Sequence, residues 1–129
     1  MIGVFINSKD VPYARWIVDG KKRIETRTRR MLHKLIGETV GIIETGNGNP
    51  KIIGWVTIGR GYFCDRKMWE NGERDLACVP VGSKFDLDRK WQDGKWCYEL
   101  HSPIKMAQPY PLPKNAIRHG RVWCEFDII

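Results

Sequence analysis

The sequence predicts an α+β domain: a small mixed β-barrel of five or six short strands carrying one to three short helices. Three observations point there. Short apolar, β-branched runs recur along the 129 residues, at 1–7, 39–45, 51–59 and 95–100. Helical periodicity is confined to brief stretches. Glycine- and proline-rich turns separate the runs. With no internal repeat, low-complexity run or linker, the chain reads as one domain, 1–129. A domain of this size buries roughly two-thirds of its unfolded surface, enough for a core without covalent staples.

Residues 1–7 read as a strand, and Ser8-Lys9-Asp10-Val11-Pro12 leads into a helix. Asp10 is a candidate N-cap, and proline is tolerated in a first turn. The helix, 12–19, places Ala14, Ile17 and Val18 on one side. Gly20 stands where a C-cap glycine belongs. A basic strand follows at 23–28, then a loop or single helical turn over 29–36 that ends at Gly37. Residues 39–45 form a strand of buried character, Gly46-Asn47-Gly48-Asn49-Pro50 a turn, and 51–59 the antiparallel partner of a hairpin. Gly54 within that partner predicts a bulge or a close backbone approach. Over 65–81, Met68, Trp69, Leu76 and Val79 line a helix broken near Asn71-Gly72. Residues 85–92 are mixed in character. Gly94 precedes an alternating strand, 95–100. The four prolines in 103–113 predict an extended connector. The last strand, 121–128, alternates Val122, Cys124, Phe126 and Ile128 with Trp123, Glu125 and Asp127.

The net charge of +7 favours polyanionic partners: nucleic acid, nucleotides or an anionic surface. No apolar run approaches the roughly 20 residues that span a bilayer, so no membrane partner is expected. The apolar start is cut short by Lys9 and Asp10, too soon for a signal peptide, and the expected location is cytoplasmic. Cys64, Cys78, Cys97 and Cys124 form no Cys-x-x-Cys pair, and His33, His101 and His119 are scattered. Zinc sites usually show a close pair of ligands. The spacing predicts free, mostly buried thiols, no metal and no cofactor.

Charge concentrates in residues 21–30, which hold six basic side chains and the single acid Glu25. In a strand, alternation sends Arg23, Glu25, Arg27 and Arg29 to one face and Ile24, Thr26 and Thr28 to the other. That face suits a polar or anionic ligand. The alternative is a solvated edge strand whose charges oppose aggregation.

Gly20-x-Lys22-x-x-Glu25-x-Arg27 fits the G-x-K-x-x-E-x-R signature of ASCH domains, relatives of the PUA fold. The chain resembles that family beyond the signature. Pro12-Tyr13-Ala14 and the apolar helix up to Gly20 look like the family's first helix. The run from Tyr98-Glu99-Leu100 through Pro103, Pro109 and Pro111 to Gly120 and Trp123 is similar to its closing strands. The resemblance covers residues 1–60 and 95–128, while 62–94 matches nothing in the family. It implies a PUA-like mixed β pseudo-barrel with a cleft beside the first helix, faced by Lys22, Glu25 and Arg27. It implies binding of RNA or modified nucleobases. It also brings two activities found among relatives: hydrolysis of an acetyl amide on cytidine, and cleavage of single-stranded RNA. The amidohydrolase members use a Lys, a Thr and a distant Glu. Lys22 matches their Lys, but Glu25 stands where they carry Thr, and alternation turns Thr26 to the opposite face.

The residue types support definite roles. Burial and the neighbouring Arg23 and Arg27 lower a lysine pKa and make Lys22 a better base, while Glu25 opposes this. Arg27 offers a planar fork for a carboxylate, phosphate or carbonyl. Glu25 can accept a proton from water or read an amino group on a base. A hydrolase would use Glu25 as base, with Lys22 or Arg27 stabilising the oxyanion. The plain alternative is an ion pair of Glu25 with Arg27 or Lys22 that only orders the strand. Tyr13 reads either as a ring that stacks on a base or as core. Trp123 reads as a cleft wall or part of a second small core. Ser8 caps the helix or reaches a ligand, capping being the simpler role. Arg29 and Arg30, with His33 and Lys34, extend a positive stripe for phosphate or form a solvated face. The expected function is binding of RNA or a modified nucleotide. The alternatives are hydrolysis of an N4-acylated cytidine-type nucleoside, ribonuclease action, or a non-catalytic interaction module.

Overall fold

The structure, a computed structural model, describes residues 1–87 and 93–128. Seven strands form one sheet: β1 (Ile2–Asn7), β2 (Ile24–Arg27), β3 (Thr39–Thr45), β4 (Lys51–Asp65), β5 (Gly94–Pro111), β6 (Ile117–His119) and β7 (Trp123–Glu125). Their order is β2-β5-β4-β3-β1-β7-β6. β1 and β3 pair in parallel and every other pair is antiparallel. The helices are α1 (Tyr13–Val18), α2 (Arg66–Met68) and α3 (Arg74–Ala77), with a wide turn, Trp69–Glu73, between the last two and a 3-10 turn at His33–Leu35. Among the described residues no helix is long and apolar enough to cross a membrane.

Alternation divides the apolar residues between two layers. Val4, Ile6, Ile42 and Ile53 enter the larger layer with Ala14 and Ile17 of α1. Phe5, Ile43 and Ile52 enter the smaller one with Cys124 and Phe126. The two long strands, β4 and β5, slip register between Ile52 and Gly54, between Trp55 and Thr57, and between Ile58 and Gly61. Bulges of this kind bend and twist a sheet, and here they coil it into an α+β pseudo-barrel.

Several local expectations hold. Ser8 Oγ accepts a hydrogen bond from the Ala14 N–H at 3.0 Å and so ties the start of α1. Gly20 adopts φ +82° past the helix end, and its N–H donates to the Ile17 carbonyl at 3.0 Å. The 39–45 and 51–59 runs pair as a hairpin. The broken helix over 65–81 turns at Gly72, φ +140°, with Trp69 and Val79 buried. All four cysteines are free thiols, with Cys64, Cys97 and Cys124 buried.

Other expectations are corrected. The residue preceding α1 is Pro12, so Asp10 is not its cap. Met68 and Leu76 are exposed rather than lining a helix face toward the core. The hairpin partner runs on past Gly59 to Asp65. Most of the proline-rich connector is strand: Lys105 pairs with Gly54, Tyr110 with Ile52 and Pro111 with Lys51. Prolines are tolerated there because β2 pairs with β5 only at residues 96–99, leaving the far half an edge with one neighbour. β6 was not foreseen. The mixed stretch 85–92 falls mostly outside the described residues.

Gly54 shows both features its position suggests. It sits at register shifts with β3 and β5. A Cβ there would meet the Ile104 carbonyl oxygen and come within 2.5 Å of Val18 Cγ1. Gly54→Ala is therefore expected to destabilise the fold by about 1–3 kcal/mol, the range for overpacking a filled site. Urea unfolding of the variant beside the parent protein checks this.

Candidate functional site

β1 and β2 are not hydrogen-bonded neighbours in the sheet, and a cleft of about 360 Å³ opens between them. Its walls include Phe5 and Asn7 of β1, Tyr13 at the start of α1, and Glu25, Thr26 and Arg27 of β2. Val79, Phe85 and Lys95 complete it from the opposite side. One side chain spans the seam: Arg27 Nη2 donates to the Phe5 carbonyl oxygen at 3.2 Å.

Local geometry explains why Lys22 rather than Arg23 joins the site. The chain turns at Gly20, and the Lys22 N–H donates to the Trp16 carbonyl at 2.9 Å. The Arg23 N–H donates to the Leu76 carbonyl at 2.8 Å. The strand starts only at Ile24, so its alternation does not reach back to Arg23, whose side chain is exposed. Lys22 is instead tucked under α3, with 3% of its surface exposed, and its Nζ donates to the Ala77 carbonyl.

Glu25 is the hub. Its Oε2 accepts from Arg27 Nη2 at 2.9 Å and its Oε1 from the Thr26 N–H at 3.2 Å. Lys22 Nζ lies 3.6 Å from Oε1 and 4.9 Å from the centre of the Tyr13 ring. Burial alone would raise the Glu25 carboxyl, but Arg27 first and Lys22 next outweigh it and hold it below the ordinary carboxylate value. Burial dominates at the two amines. It lowers Lys22 despite the attraction of Glu25, and it lowers Lys95, whose Nζ donates to the Phe85 carbonyl. One further polar atom, Arg27 Nε, is buried without a hydrogen-bond partner, while Tyr13 Oη has the Ser83 hydroxyl beside it. Arg27 Nε offers a ligand a bond that the protein itself leaves unmade.

Four of the eight residues singled out in the sequence thus meet: Lys22, Glu25, Arg27 and Tyr13. Ser8 is spent on α1. Arg29 and Arg30 are exposed and outside the cleft walls; Arg30 lies 5.3 Å from the centre of the Trp96 ring and its Nε donates to His33 at 3.3 Å. Trp123 is also outside the walls. It pairs with Val4 across β1 and stacks on His119 with ring centres 3.9 Å apart. Lys95 and Phe85 were missed. The one signal for Lys95 was an ionisable residue in phase with Cys97 in the alternating strand 95–100. Thr26 lines the cleft as well, contrary to its expected opposite orientation.

No family sequence model and no curated protein matches the chain. Solved structures do. The crystal structure of an ASCH protein from Zymomonas mobilis has a TM-score of 0.67 and 21% identity over 85% of this chain and 73% of that one. A serine-to-alanine variant of that protein gives a TM-score of 0.64 and 19% identity over 84% of this chain and 73% of that one. A tyrosine-to-phenylalanine variant gives 0.65 and 19% over 85% and 76%. The chain has the ASCH fold. Within it, the signature residues Lys22, Glu25 and Arg27 share one cleft. Val79, Phe85 and Lys95 line it as well.

Because the Glu25 carboxyl titrates lower in the folded chain than its ordinary value of 4.5, it binds protons less readily there than when unfolded. Its contribution to stability is complete above the unfolded value and disappears as pH falls through the folded one. Glu25→Gln strands two buried cations and is expected to cost on the order of 3 kcal/mol at neutral pH. As pH falls below the ordinary carboxylate range the variant and the parent should converge, which urea unfolding across the acid range measures.

Proposed function

We propose that this ASCH-fold chain binds RNA or a modified nucleotide, the cleft taking a base and the exposed cations beside it taking phosphate. One observation carries the reading: a buried, charged carboxylate stands in an open cleft with a guanidinium, two amines and two aromatic rings around it. A volume of about 360 Å³ accommodates a nucleobase and its sugar. Glu25 is an acceptor for an exocyclic amino group, the pairing by which a carboxylate reads cytosine. The unpartnered Arg27 Nε offers a donor to a carbonyl oxygen on the same ring. Arg29, Arg30 and Lys34 are exposed, and Arg121 lines the cleft and is itself exposed; both suit phosphate contact without sequence preference. The protein's own side chains leave the cleft open, which favours a ligand over a purely architectural role.

Affinity for a short single-stranded RNA should then fall steeply as salt rises, and removing Arg29 or Arg30 should lower the log–log slope by about 1 each. Fluorescence anisotropy over a salt series reads this. A flat salt response removes the phosphate role, and unchanged affinity in Arg27→Ala and Glu25→Gln removes the cleft.

A specific observation supports a hydrolase as second reading. Thr26 lines the cleft beside Glu25, and the Lys22 amine is held below the ordinary lysine range. A hydroxyl, an amine base and an oxyanion-stabilising guanidinium are the parts needed to cleave an acyl amide on a cytidine amino group. Incubation with N4-acetylcytidine should release cytidine, and both Lys22→Ala and Thr26→Ala should slow release by about a hundredfold or more. No turnover, or turnover indifferent to these changes, leaves binding alone.

A further inference from the structure

Another cluster of reactive groups lies where the β4–β5 ladder ends beneath the broken helix. Cys97 faces Tyr62 across the ladder and Cys64 faces Lys95, so the two cysteines are diagonal neighbours on one face of the sheet. Both are fully buried. Glu73 approaches from the wide turn Trp69–Glu73, whose kink at Gly72 breaks the regular rotation of the helix. The two Sγ atoms and a Glu73 carboxylate oxygen all lie within 4.8 Å of one another. Tyr62 Oη donates a short hydrogen bond to Glu73 Oε2.

We propose that Cys64, Cys97 and Glu73 hold one divalent cation of the zinc type, with Tyr62 orienting the carboxylate. Two sulfurs and one carboxylate oxygen form a donor set that suits a borderline-soft cation and disfavours magnesium or calcium. Bonds of about 2.3 Å to sulfur and about 2.1 Å to oxygen bring such ligands within about 4 Å of one another, so the cluster must contract by about 1 Å at most. Burial first pushes the Cys64 thiol up to about 11, and it pushes Cys97 up as well. Binding therefore expels one proton from each thiol to solvent. The dication with two thiolates and one carboxylate leaves a single net negative charge in the core. The fourth position falls to water. The hydrogen bond from Tyr62 to Glu73 is the second-layer contact that fixes a metal-binding carboxylate.

The consequence is a brace. Such a cation joins the 66–77 segment to β4 and β5. That segment gives Lys22 its carbonyl partner at Ala77, and β5 carries Lys95 into the cleft two residues before Cys97. Sequence spacing hid the site because its ligands come from two strands and a turn, with no close pair.

Metal counting on full-length protein, produced with zinc present and desalted under reducing conditions, tests the proposal. About one equivalent of zinc per chain is expected, and cobalt loading should give a thiolate-to-cobalt charge-transfer band that zinc abolishes. Cys64→Ser and Cys97→Ser should lose the band, and Glu73→Gln should weaken binding about tenfold or more. Cys124→Ser, which removes a buried thiol in the other layer, should keep both metal and band. It separates the loss of a ligand from the general cost of a buried Cys→Ser change, and the half-buried Glu73 carries the test where a cysteine variant does not fold. A metal content near zero with no cobalt band overturns the proposal. So does binding that survives equally in all three ligand variants. A Cys64–Cys97 disulfide in the intact mass of protein freshly isolated with zinc present, before any reductant or chelator is added, also overturns it, in favour of a redox pair.

Discussion

The cleft depends on keeping one carboxylate charged while it is almost wholly out of water. Moving an ion into a protein interior costs several kcal/mol unless its lone pairs are met. Glu25 has them met by Arg27, by the Thr26 N–H and by the nearby Lys22 amine. Arg27 is in turn held to β1 through the Phe5 carbonyl. β2 has only four residues and backbone pairing to β5 alone, so this polar chain is what ties it to the strand across the gap. A side-chain bridge spaces two strands more widely than ladder hydrogen bonds would. The seam is therefore closed in the energetic sense and open in the steric one, which is the condition for a binding site in a barrel this small.

The same reasoning applies to the sheet. Long strands that bulge can wrap a core, but each bulge interrupts the ladder and leaves backbone groups to be placed. β5 resolves this by using its two halves differently. Residues 96–99 lie between two strands and contain no proline. Beyond Leu100 the strand has one neighbour, and Pro103, Pro109 and Pro111 all fall there, where a missing N–H has no second ladder to break. The prolines also blunt an exposed edge against pairing with another chain.

That arrangement marks what could and could not be read from the sequence. Local signals were legible: the turn at Gly20, the strand at 39–45 and the close approach at Gly54 all follow from residue type and neighbours. The convergence of Lys22, Glu25 and Arg27 followed from the signature; Tyr13, left open between core and ligand, is both a core residue and a cleft wall. The prolines misled because composition records the missing donors and not which edge they face. Arg23 misled because alternation was extended one residue too far back, before the strand begins at Ile24. Lys95 and Phe85 were out of reach for a different reason. Both belong to the cleft through pairings far apart in sequence, and Phe85 lies in a stretch with no periodicity to interpret. Trp123 was legible as a half-buried aromatic, but its stacking on His119 depends on β6, a strand of three exposed residues with no apolar pattern.

The two buried amines show what the distinctive middle segment adds to the fold. Lys22 donates to the Ala77 carbonyl and Lys95 to the Phe85 carbonyl, so backbone dipoles from residues 77–85 hold both. A carbonyl orients an ammonium without neutralising it, and burial meanwhile lowers the proton affinity of each amine. Among the described residues Glu25 is the one acid lining the cleft, and it is already engaged by Arg27. A ligand that brings negative charge or an electron-rich oxygen supplies what the carbonyls do not, and in doing so it strengthens the hold of both amines on their protons. A neutral, donor-only ligand gains nothing from them. The middle segment therefore does more than roof the cleft: its carbonyls orient both amines without cancelling their charge.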